Sequence, residues 1–589
     1  MKATIPVSLR QRLRYLLPHF RGQRLAFVWG FLLLVVTNAT AAAIPYVMKL
    51  ATEALMTPVD QEVTGFVLAL IGLAVTNAFF RVRSRMHIFG IGRDVEYAMR
   101  RQYHARLLTL DAPFLDHEKT GELASRGSAD VAALRMFVGP GFLQISNVLM
   151  VYATALPVMV GLDPWLTFYA LAPIPLVLGL TRLLTRRMYR LSRMVADRFG
   201  ALSGFIQEAV AGIAPIRAHA READWNRRFA GETGALCQAS LAHSQLQSLF
   251  GPMVVLAGSI GGWIILAYGG HEVAAGRLTM GDFVAFSGYL AMLIWPTVGF
   301  GWILSVMQRG LAAMDRINGV LDAQPFLPPE VTGAPDSGAR WRGEIRIRDL
   351  HFSYQPGVPV LTGISLHIEA GQWIGLAGRV GCGKTALLNV LARLYPAPAG
   401  SVLLDGRDLM TLPESELRRN LAMAPQESFL FSAPLSRNIG FGAAEPERVR
   451  EAVRLAGLEE EIEGFPAGME TLIGERGITL SGGQRQRAAL ARALAANPVI
   501  LLLDDIFSHV DARTEERILG NMRLLAHQRT VVMVCHRVAA LRQADRIFLL
   551  DAGRVVAQGR HEALLATTPA YRELHDTMTR AEALEALAG

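Results

Sequence analysis

The chain has few cysteines and little charge for its length. Its 589 residues include only three cysteines, Cys237, Cys382 and Cys535. Because their number is odd and they lie far apart, they form neither a disulfide framework nor a metal-binding pattern. Residues 1–24 lack a compact apolar core before a small-residue cleavage site, so we expect no removable signal peptide. Charged residues make up 19%, against about 25% in ordinary soluble proteins.

Apolar sequence takes the place of the missing charge. Hydrophobic residues make up 51%, and the excess lies before about residue 305. A helix of about 20 apolar residues crosses the ~30 Å hydrocarbon layer of a membrane. The sequence predicts an α-helical domain with about six membrane spans. The predicted spans are 25–48, 66–80 with its flanks, 142–161, 165–184, 250–268 and 283–306.

The distribution of charge orients these spans. Basic residues precede the first span and crowd the connections between the second and third spans and between the fourth and fifth. The opposite loops are short or acidic, with Glu53, Asp60, Glu62, Asp163, Glu272 and Asp282. The positive-inside rule therefore predicts a multi-pass protein of the cell membrane (inner or plasma) with both termini in the cytoplasm. The net charge of +8 follows the same rule, and we expect no nucleic-acid partner.

The two arginine-rich connections are too long for simple turns. Their periodicity indicates helices that continue beyond the bilayer into the cytoplasm. Residues 116–121 and 214–218 interrupt these helices at their far ends, so we expect both to contact a cytoplasmic domain. No charged residue lies deep in a span, which gives little support to a proton-coupled pathway. Polar span residues such as Asn38, Asn77 and Asn147 are interpreted as interhelical hydrogen-bonding groups.

The second half of the chain has the composition of a soluble α/β domain. A transmembrane domain at 1–321 is followed by a proline- and glycine-rich linker at 322–343 and a domain at 344–589. An apolar strand at 374–377 leads directly into a P-loop, which reads Gly378-Arg379-Val380-Gly381-Cys382-Gly383-Lys384-Thr385. A helix begins at Ala386, which is the context that a P-loop requires.

Each P-loop residue has an expected role. The backbone amides of 381–385 cradle phosphate oxygens at the helix N-terminus. Lys384 reaches the β- and γ-phosphates, and the Thr385 hydroxyl can ligate Mg²⁺. Cys382 is interpreted as a small filler. The sequence thus predicts ATP and Mg²⁺ as cofactors.

Further candidate residues follow other strands of this domain. The apolar strand 499–503 ends in Asp504, which is placed to hold Mg²⁺, and Asp505 follows it. His536 follows the strand 531–534 and is a candidate γ-phosphate sensor, since ligands of open α/β sheets bind at the carboxyl ends of strands. Gln426 fits a loop that reaches Mg²⁺ and the attacking water. Tyr354 precedes the P-loop and is expected to stack on adenine.

In this order the motifs resemble those of the ATP-binding-cassette (ABC) exporters along essentially the whole chain. Leu480-Ser481-Gly482-Gly483-Gln484 is similar to the family signature, and residues 508–511 resemble the D-loop. Gly474-Glu475-Arg476-Gly477 resembles an exporter segment that senses the membrane helices. The resemblance implies an α/β P-loop cassette with a helical signature subdomain. It also implies a half-transporter whose signature binds ATP held by the P-loop of a second chain.

One residue departs from the family pattern. Asp504 matches the Walker B aspartate of the family. The next residue is normally a glutamate that orients or deprotonates the attacking water, and here it is Asp505. The aspartate carboxylate is withdrawn by roughly 1.5 Å, and a misplacement of about 1 Å costs on the order of 100-fold in rate. A degenerate ATP site beside an intact signature resembles one subunit of the heterodimeric, multidrug-resistance-like Mdl type. We therefore favour a heterodimer.

The expected function is ATP-driven export of an amphipathic drug, lipid or peptide, with ATP hydrolysis coupled to transport. The expected partners are a second half-transporter with an intact catalytic glutamate, membrane lipid and the transported compound. Two alternatives remain within transport: a homodimer with slow hydrolysis assisted by Asp505, and an exporter-fold importer of siderophore-like ligands. A soluble cassette ATPase is opposed by the six spans. A gated channel is opposed by the lack of a regulatory insertion.

Overall fold

The computed structural model describes residues 9–56, 63–324, 341–441, 445–474, 480–526 and 528–588. The chain divides into two compact units, of which the first holds Met1–Leu108 and Thr120–Ala323 and the second holds Thr109–Lys119 and Gln324–Gly589. Most of the predicted linker, residues 325–340, lies outside the described residues, as do Asp60 and Glu62 of the predicted outer loops. The linker bounds therefore stay predictions.

Residues 9–322 form fifteen described helices, with short π-helical segments at Arg126–Asp130, Phe137–Gly141 and Ile265–Gly269. They are α1 (Leu9–Arg12), α2 (Leu17–Gly22), α3 (Arg24–Met56), α4 (Val63–Leu107), α5 (Ala112–His117), α6 (Thr120–Ser125), α7 (Val131–Met136), α8 (Phe142–Leu162), α9 (Pro164–Leu171), α10 (Pro173–Ala211), α11 (Ile213–Ala218), α12 (Glu222–Ser248), α13 (Phe250–Ile264), α14 (Gly270–Ala274) and α15 (Met280–Asp322). All except α5 belong to the first unit.

Five helical stretches are long and apolar enough to cross a membrane among the described residues. They are Arg24–Met56, Val63–Leu107, Thr120–Leu162, Glu222–Ala274 and Met280–Asp322. Five of the six predicted spans lie within them. The other, 165–184, is divided at Ala172 between α9 and α10, where Pro173 begins the arginine-rich α10. Proline lacks a backbone N–H and favours the first position of a helix, so it accounts for this break.

Polar groups join the helices of the first unit. Asn38 Nδ2 donates to Asn147 Oδ1 at 3.3 Å, so the two amides link α3 with α8. Asn77 Nδ2 donates to the carbonyl oxygen of Thr37 at 2.6 Å, which links α4 with α3. These contacts agree with the interpretation of the three asparagines as interhelical hydrogen-bonding groups, which is how polar side chains are satisfied where water is absent.

The second unit is built on two sheets. Its strands are β1 (Ile345–Phe352), β2 (Leu361–Ile368), β3 (Trp373–Ala377), β4 (Val402–Leu404), β5 (Arg407–Asp408), β6 (Leu421–Ala424), β7 (Ile500–Asp504), β8 (Thr530–Val534), β9 (Arg546–Asp551) and β10 (Arg554–Gly559). Four strands pair antiparallel in the order β2-β1-β4-β5, and six pair in the order β10-β9-β3-β8-β7-β6. In the larger sheet only β10 runs antiparallel to its neighbour.

Helices cover this larger sheet and fill the connection between β6 and β7. They are α16 (Lys384–Leu391), α17 (Glu414–Asn420), α18 (Leu435–Ile439), α19 (Pro446–Leu455), α20 (Glu459–Glu463), α21 (Gly482–Ala495), α22 (Ala512–Ala526), α23 (Val538–Gln543), α24 (His561–Thr567) and α25 (Pro569–Ala588). All residues of β3, β7 and β8 are buried. Strands that are buried on both faces have continuous apolar sequences, because helices cover both faces of the sheet.

Candidate functional site

The parallel strands of the larger sheet bring the predicted ATP-site residues to one edge. The P-loop follows β3, Gln426 follows β6, Asp504 ends β7 and His536 follows β8. Because these strands are parallel, their carboxyl ends lie together. There they line one cavity of about 310 Å³. Its lining also includes Tyr354, Val360, Val380, Gly381, Gly383, Lys384, Thr385, Ala386, Asp505 and Val534.

The P-loop needs glycine at two tight positions. Gly378 has φ +150°, and a Cβ there would lie 2.3 Å from the carbonyl oxygen of Leu550. Gly383 has φ +104°, and its Cβ would lie 2.8 Å from Leu361 Cδ2. A side chain at either position would therefore force the loop away from β9 or β2. The loop turns at Gly383 and leads directly into α16, whose N-terminus faces the cavity.

Lys384 holds the loop together from its centre. Its Nζ donates to the carbonyl oxygens of Gly378 at 2.7 Å and Arg379 at 2.9 Å. Cys382 is buried, and its Sγ lies 3.8 Å from the same nitrogen, which suits its interpretation as a small filler. The side chain of Arg379 forms an ion pair at 2.8 Å with Glu573 of α25, so this residue contributes its backbone to the loop.

A hydroxyl and a carboxylate meet at the floor of the cavity. Thr385 Oγ1 donates to Asp504 Oδ1 at 3.2 Å, and Asp504 is 1% exposed. Burial raises the pKa of Asp504, and the charge of Asp505 raises it further, while the Thr385 hydrogen bond and Lys384 oppose the shift. A buried carboxylate beside a hydroxyl is an oxygen-rich pair of the kind that Mg²⁺ prefers. These residues therefore fit the predicted metal.

Asp505 has an unusual backbone. Its φ is +47°, in the left-handed region that aspartate tolerates better than most residues. Its N–H donates to the carbonyl oxygen of Val534 at 3.0 Å. Its own carbonyl oxygen accepts from Ser508 Oγ at 3.3 Å and from Gln486 Nε2 at 3.4 Å. The position is thus fixed by β8 on one side and by the D-loop on the other.

His536 lies in the same cavity and favours its neutral form. Burial lowers its pKa, the positive charge of Lys384 lowers it further, and Asp505 acts in the opposite direction. A neutral imidazole carries one N–H donor and one acceptor nitrogen, so it can donate to a phosphate oxygen while its other nitrogen stays unprotonated.

Tyr354 lies at the mouth of the cavity with its ring partly open. It is 41% exposed, and its hydroxyl accepts a hydrogen bond from Asn389 Nδ2 of α16 at 3.2 Å. Phe352 packs edge-on against it, with ring centroids 4.9 Å apart. A half-exposed ring of fixed orientation is a suitable platform for a planar base.

The signature residues form a second surface, away from this cavity. Ser481 caps α21 and forms a capping box with Gln484: Gln484 N donates to Ser481 Oγ at 3.2 Å, and Ser481 N donates to Gln484 Oε1 at 3.0 Å. Gly482 and Gly483 pack against His509 of the D-loop. A Cβ at Gly483 would lie 2.5 Å from the His509 carbonyl oxygen, so only glycine fits there. We call Ser481, Gly482, Gly483, Gln484 and His509 the signature face.

Gln486 is a functional candidate that the sequence analysis missed. It is 4% exposed on α21, and its Nε2 donates to Ser508 Oγ at 2.6 Å. The N–H of His509 donates to its Oε1 at 3.0 Å. Gln486 thus joins α21 to the D-loop and, through the Asp505 carbonyl, to the cavity that the P-loop lines. A glutamine on the buried side of an otherwise alanine-rich helix was the available signal.

The structure describes residues of both predicted contact segments, but it leaves out most of the predicted sensing segment. Residues 112–117 form α5, within the same compact unit as the cassette, while residues 213–218 form α11 in the first unit. Residues 475–477 of the predicted sensing segment lie outside the described residues. The roles of these segments and of the site residues stay predictions.

The chain matches two family models and several known proteins. Residues 27–297 match the ABC transporter transmembrane region, and residues 361–508 match the ABC transporter model. It is 35% identical to the probable multidrug resistance ABC transporter ATP-binding/permease protein YheI of Bacillus subtilis, over 86% of each chain. It is 29% identical to the multidrug resistance-like ATP-binding protein MdlA of Escherichia coli, over 87% of each chain.

Two further similarities extend over nearly the whole chain. The ATP-dependent lipid A-core flippase of Thiobacillus denitrificans is 30% identical over 96% of this chain and 97% of its own. The solved structure of a bacterial Atm1-family ABC exporter with ATP bound has a TM-score of 0.77 and 25% identity, over 94% of this chain and 98% of that chain. The predicted fold, a helical transmembrane domain followed by an α/β cassette, is confirmed.

Proposed function

This chain belongs to the ABC transporters that fuse a transmembrane region to an ATP-binding domain, and from this membership we propose that it is one half of a heterodimeric exporter of amphipathic compounds. It is a membrane protein that couples ATP hydrolysis to transport. ABC exporters work as dimers, so the chain acts with a second ABC subunit. The identity of that subunit and of the transported compound belongs to the proposal.

The observation that carries the proposal is the separation of the P-loop cavity from the signature face. The ATP cavity contains the P-loop, the residues that fit Mg²⁺ and the adenine platform. The signature face lies outside the lining of that cavity, at the N-terminus of α21. Each surface therefore needs a second chain to complete an ATP site. The proposed dimer therefore has two ATP sites, one on this chain's P-loop and one on the partner's P-loop.

The two sites differ in catalytic power. In the site on this chain's P-loop, Asp505 occupies the position that should activate water, and its carboxylate falls short by roughly one methylene, about 1.5 Å. In the other site, the intact signature face serves the partner's P-loop. The proposal therefore assigns slow hydrolysis to the first site and turnover to the second. An unequal pair of sites requires two different chains.

The residues of the cavity have separate tasks. The P-loop amides and Lys384 bind phosphate oxygens, and Thr385, Asp504 and Gln426 would hold Mg²⁺, which neutralises phosphate charge when bound. His536 donates to the terminal phosphate, and Tyr354 stacks on adenine. Ser481 and the amides of Gly482 and Gly483 face the partner's nucleotide. Closure of two cassettes over ATP then reorients the membrane helices as rigid bodies.

The proposed substrate class rests on the membrane half and on the relatives. The predicted spans contain methionine and tryptophan and no deep charge, which suits a compound with apolar and polar parts. Two relatives are named as a multidrug resistance protein and a lipid flippase. We place the exporter in the cell membrane (inner or plasma) with both termini in the cytoplasm.

The test compares the chain alone with the chain in a pair. A suitable partner is a half-transporter encoded next to this chain that has Asp-Glu after its Walker B strand and an eroded signature. Steady-state ATPase activity is measured in nanodiscs for each chain and for the pair. We expect low activity for this chain alone and restored turnover in the pair.

A matched variant tests the cause of the low activity. Asp505→Glu restores the missing methylene, so it should raise the activity of this chain alone by at least tenfold. Robust activity of the unaltered chain alone would refute the heterodimer and favour the homodimer. Uptake of the compound by cells, in place of extrusion from them, would favour the importer.

A further inference from the structure

Another cavity lies at the amino ends of β7 and β8, at the edge of the larger sheet opposite the ATP cavity. Asn497 precedes β7 and Arg529 precedes β8, and both residues line it. Its volume is about 280 Å³. That volume is near the lower end of the range for small-molecule pockets, ~300–1,000 Å³. We name it the α19–α21 cavity after the helices that supply the rest of its lining, which is Glu447, Arg448, Glu451, Ala452, Leu455, Leu494 and Ala495.

Arg529 brings a positive charge to this cavity that no described carboxylate balances. Its Nη2 donates to Asn497 Oδ1 at 2.6 Å, and its Nη1 is buried with no hydrogen-bond partner among the described residues. Burial lowers the pKa of Arg529, and the neutral Asn497 amide does not offset the effect. A partly buried guanidinium without a counter-ion is costly, so an anion that reaches it is bound favourably.

The two glutamates of the lining do not supply the missing counter-ion, because each is paired along α19. Glu447 accepts a hydrogen bond from Arg450, and Glu451 accepts one from Arg454 Nε at 2.9 Å. Both of these arginines lie outside the lining of the cavity. Each glutamate–arginine pair is neutral as a whole. The charge of Arg529 therefore remains available to a ligand.

The rest of the lining combines a second cation with apolar surface. Arg448 Nε lies 4.0 Å from Glu445 Oε2, and 54% of the Arg448 side chain is exposed, so this pair is long and screened by water. Buried apolar side chains complete the lining: Ala452 and Leu455 of α19, and Leu494 and Ala495 of α21. Cations beside an apolar wall suit a compound that joins one carboxylate to a small apolar group.

Arg529 also has a structural role to consider. The helix α21 ends at Ala495, and a cation beside a helix C-terminus stabilises the partial negative charge there. That role requires the charge of Arg529 but does not require the cavity, and it leaves Nη1 without a partner. The two roles predict different results for ligand binding, which the experiment below separates.

We propose that the α19–α21 cavity binds a small aryl or acyl monocarboxylate, with Arg529 as its main anion contact. Asn497 is exposed, so its amide turns aside and the carboxylate bonds to both Nη1 and Nη2 of Arg529 in the bidentate manner. Arg448 is a second contact at the rim, and the apolar group of the ligand covers Ala452 and Leu494. The ligand thus braces α19 and α21 against the start of β8. The inference does not depend on the proposed transport function.

The test uses 3-phenylpropionate as the probe and the full chain in nanodiscs. Ligand-observed NMR titrations give the dissociation constant, and empty nanodiscs give the background from lipid. Two matched compounds separate the parts of the probe: 3-phenylpropanol has the ring without the charge, and propionate has the charge without the ring. We expect the probe to bind at least about tenfold more tightly than either. Equal binding of the three compounds, or no binding above background, would overturn the inference.

Variants locate the bound probe. Arg529→Met removes the cation, and Ala452→Leu fills the cavity while it keeps both arginines, so each should weaken probe binding at least about tenfold. Arg448→Gln should weaken it about twofold to threefold, since that cation is exposed. The matched control is Arg523→Gln, an exposed arginine of α22 outside the lining, which should leave binding unchanged.

Hydrogen exchange provides an independent measurement. The probe should slow the exchange of backbone amides in α19 and in the last turn of α21 several-fold, and it should leave residues 381–385 of the P-loop unchanged. Protection at the P-loop without protection of α19 would place the probe in the ATP cavity and overturn the inference.

The remaining outcomes separate a ligand site from a structural role. Probe binding that survives both Arg529→Met and Ala452→Leu would mean that the probe binds elsewhere. A loss of thermal stability in Arg529→Met with unchanged probe binding would leave Arg529 only its role at the end of α21. Either result would overturn the inference. ATP binding and thermal unfolding show which variants are folded, and Ala452→Leu decides if Arg529→Met does not fold.

Discussion

The cassette has two helix N-termini that face phosphate in the proposed dimer, and they are built differently. At α16, the P-loop surrounds Lys384, and side chains from four parallel strands complete a cavity. At α21, Ser481 is exposed and the glycines contact His509 of the D-loop on one side. The first surface is lined by residues from several segments of its own chain, among which Val380 and Gly381 are exposed. The second has an exposed side at Ser481, which the proposed partner covers.

The difference shows how one chain can hold unequal halves of two sites. Both helices use the same backbone chemistry, since free amides at a helix N-terminus attract anions. At α16 consecutive residues of this chain supply the P-loop amides and Lys384 that are predicted to bind phosphate. At α21 the capping box fixes the positions of Ser481 and Gln484, but it does not specify which molecule binds there. Changes at the two places should therefore have different consequences in the pair.

The largest effect is expected from Ser481→Arg. A bulky cation at the cap of α21 would block closure over the partner's γ-phosphate and remove the cap hydrogen bond to Gln484 N. Turnover of the pair should fall at least about 100-fold, as when an oxyanion donor is lost. Asp505→Asn affects the site that is proposed to be weak and should reduce turnover less than about threefold. Steady-state ATPase activity is measured for the pair that carries Ser481→Arg and for the pair that carries Asp505→Asn. A larger loss from Asp505→Asn would mean that the competent and degenerate sites are assigned the wrong way round.

A smaller effect is expected from Gly483→Ala. The new Cβ would meet the His509 carbonyl oxygen at 2.5 Å, so the D-loop must move away from α21. We expect turnover to fall on the order of 10-fold to 100-fold, since a shift of about 1 Å near a reacting centre has such a cost. The matched control is Gly520→Ala in α22, where nothing lies within 4 Å of the new Cβ. Equal activity of the two variants would show that the contact with His509 is unimportant.

Gln486 tests whether the two surfaces communicate within one chain. Gln486→Ala removes two hydrogen bonds that join α21 to residues 508 and 509. We expect a loss of about 1–3 kcal/mol in the free energy of unfolding and a modest loss of turnover, since buried polar groups lose their partner. Gln486→Met retains the volume without the hydrogen bonds. If its thermal unfolding and turnover match those of the unaltered pair, the link between the surfaces is wrong.

The smallest effect is expected in the pH dependence of unfolding, through His536. Burial lowers the pKa of His536, so the imidazole stays neutral in the folded chain below the ordinary value of about 6.5. As pH falls, the His536 imidazole is protonated in the unfolded chain before it is protonated in the folded chain. The His536 contribution to the free energy of unfolding is therefore lost as pH falls below about 6.5. His536→Gln should flatten this part of the unfolding profile between pH 5 and 7. A profile that is unchanged in the variant would contradict the assignment.

The P-loop and the polar strand ends could be predicted because their signals are local. An apolar strand, a glycine-rich loop and Lys384-Thr385 occupy consecutive positions, and the structure places them as β3, the loop and α16. The division of the fourth predicted span was not predicted. Hydropathy averages over about 20 residues, so it did not register the break at Ala172 that Pro173 introduces.

Gln486 and Asn389 were not predicted to contact the site for a different reason. Each is an ordinary residue in its own segment, and its role depends on what packs against it. Asn389 contacts Tyr354, 35 positions away, and Gln486 contacts Ser508, 22 positions away. Such contacts depend on the order of the strands, which local patterns do not specify.

The predicted phosphate chemistry of this chain follows from consecutive residues alone. The spacing of Gly378, Gly383, Lys384 and Thr385 predicts a phosphate-binding loop, because consecutive residues supply the helix N-terminal amides and one lysine. The fold adds contacts that no local pattern specifies. It places the signature face outside the lining of the P-loop cavity and joins Gln486 to Ser508. Strand order and side-chain packing join residues far apart in the chain, and only the folded molecule specifies both.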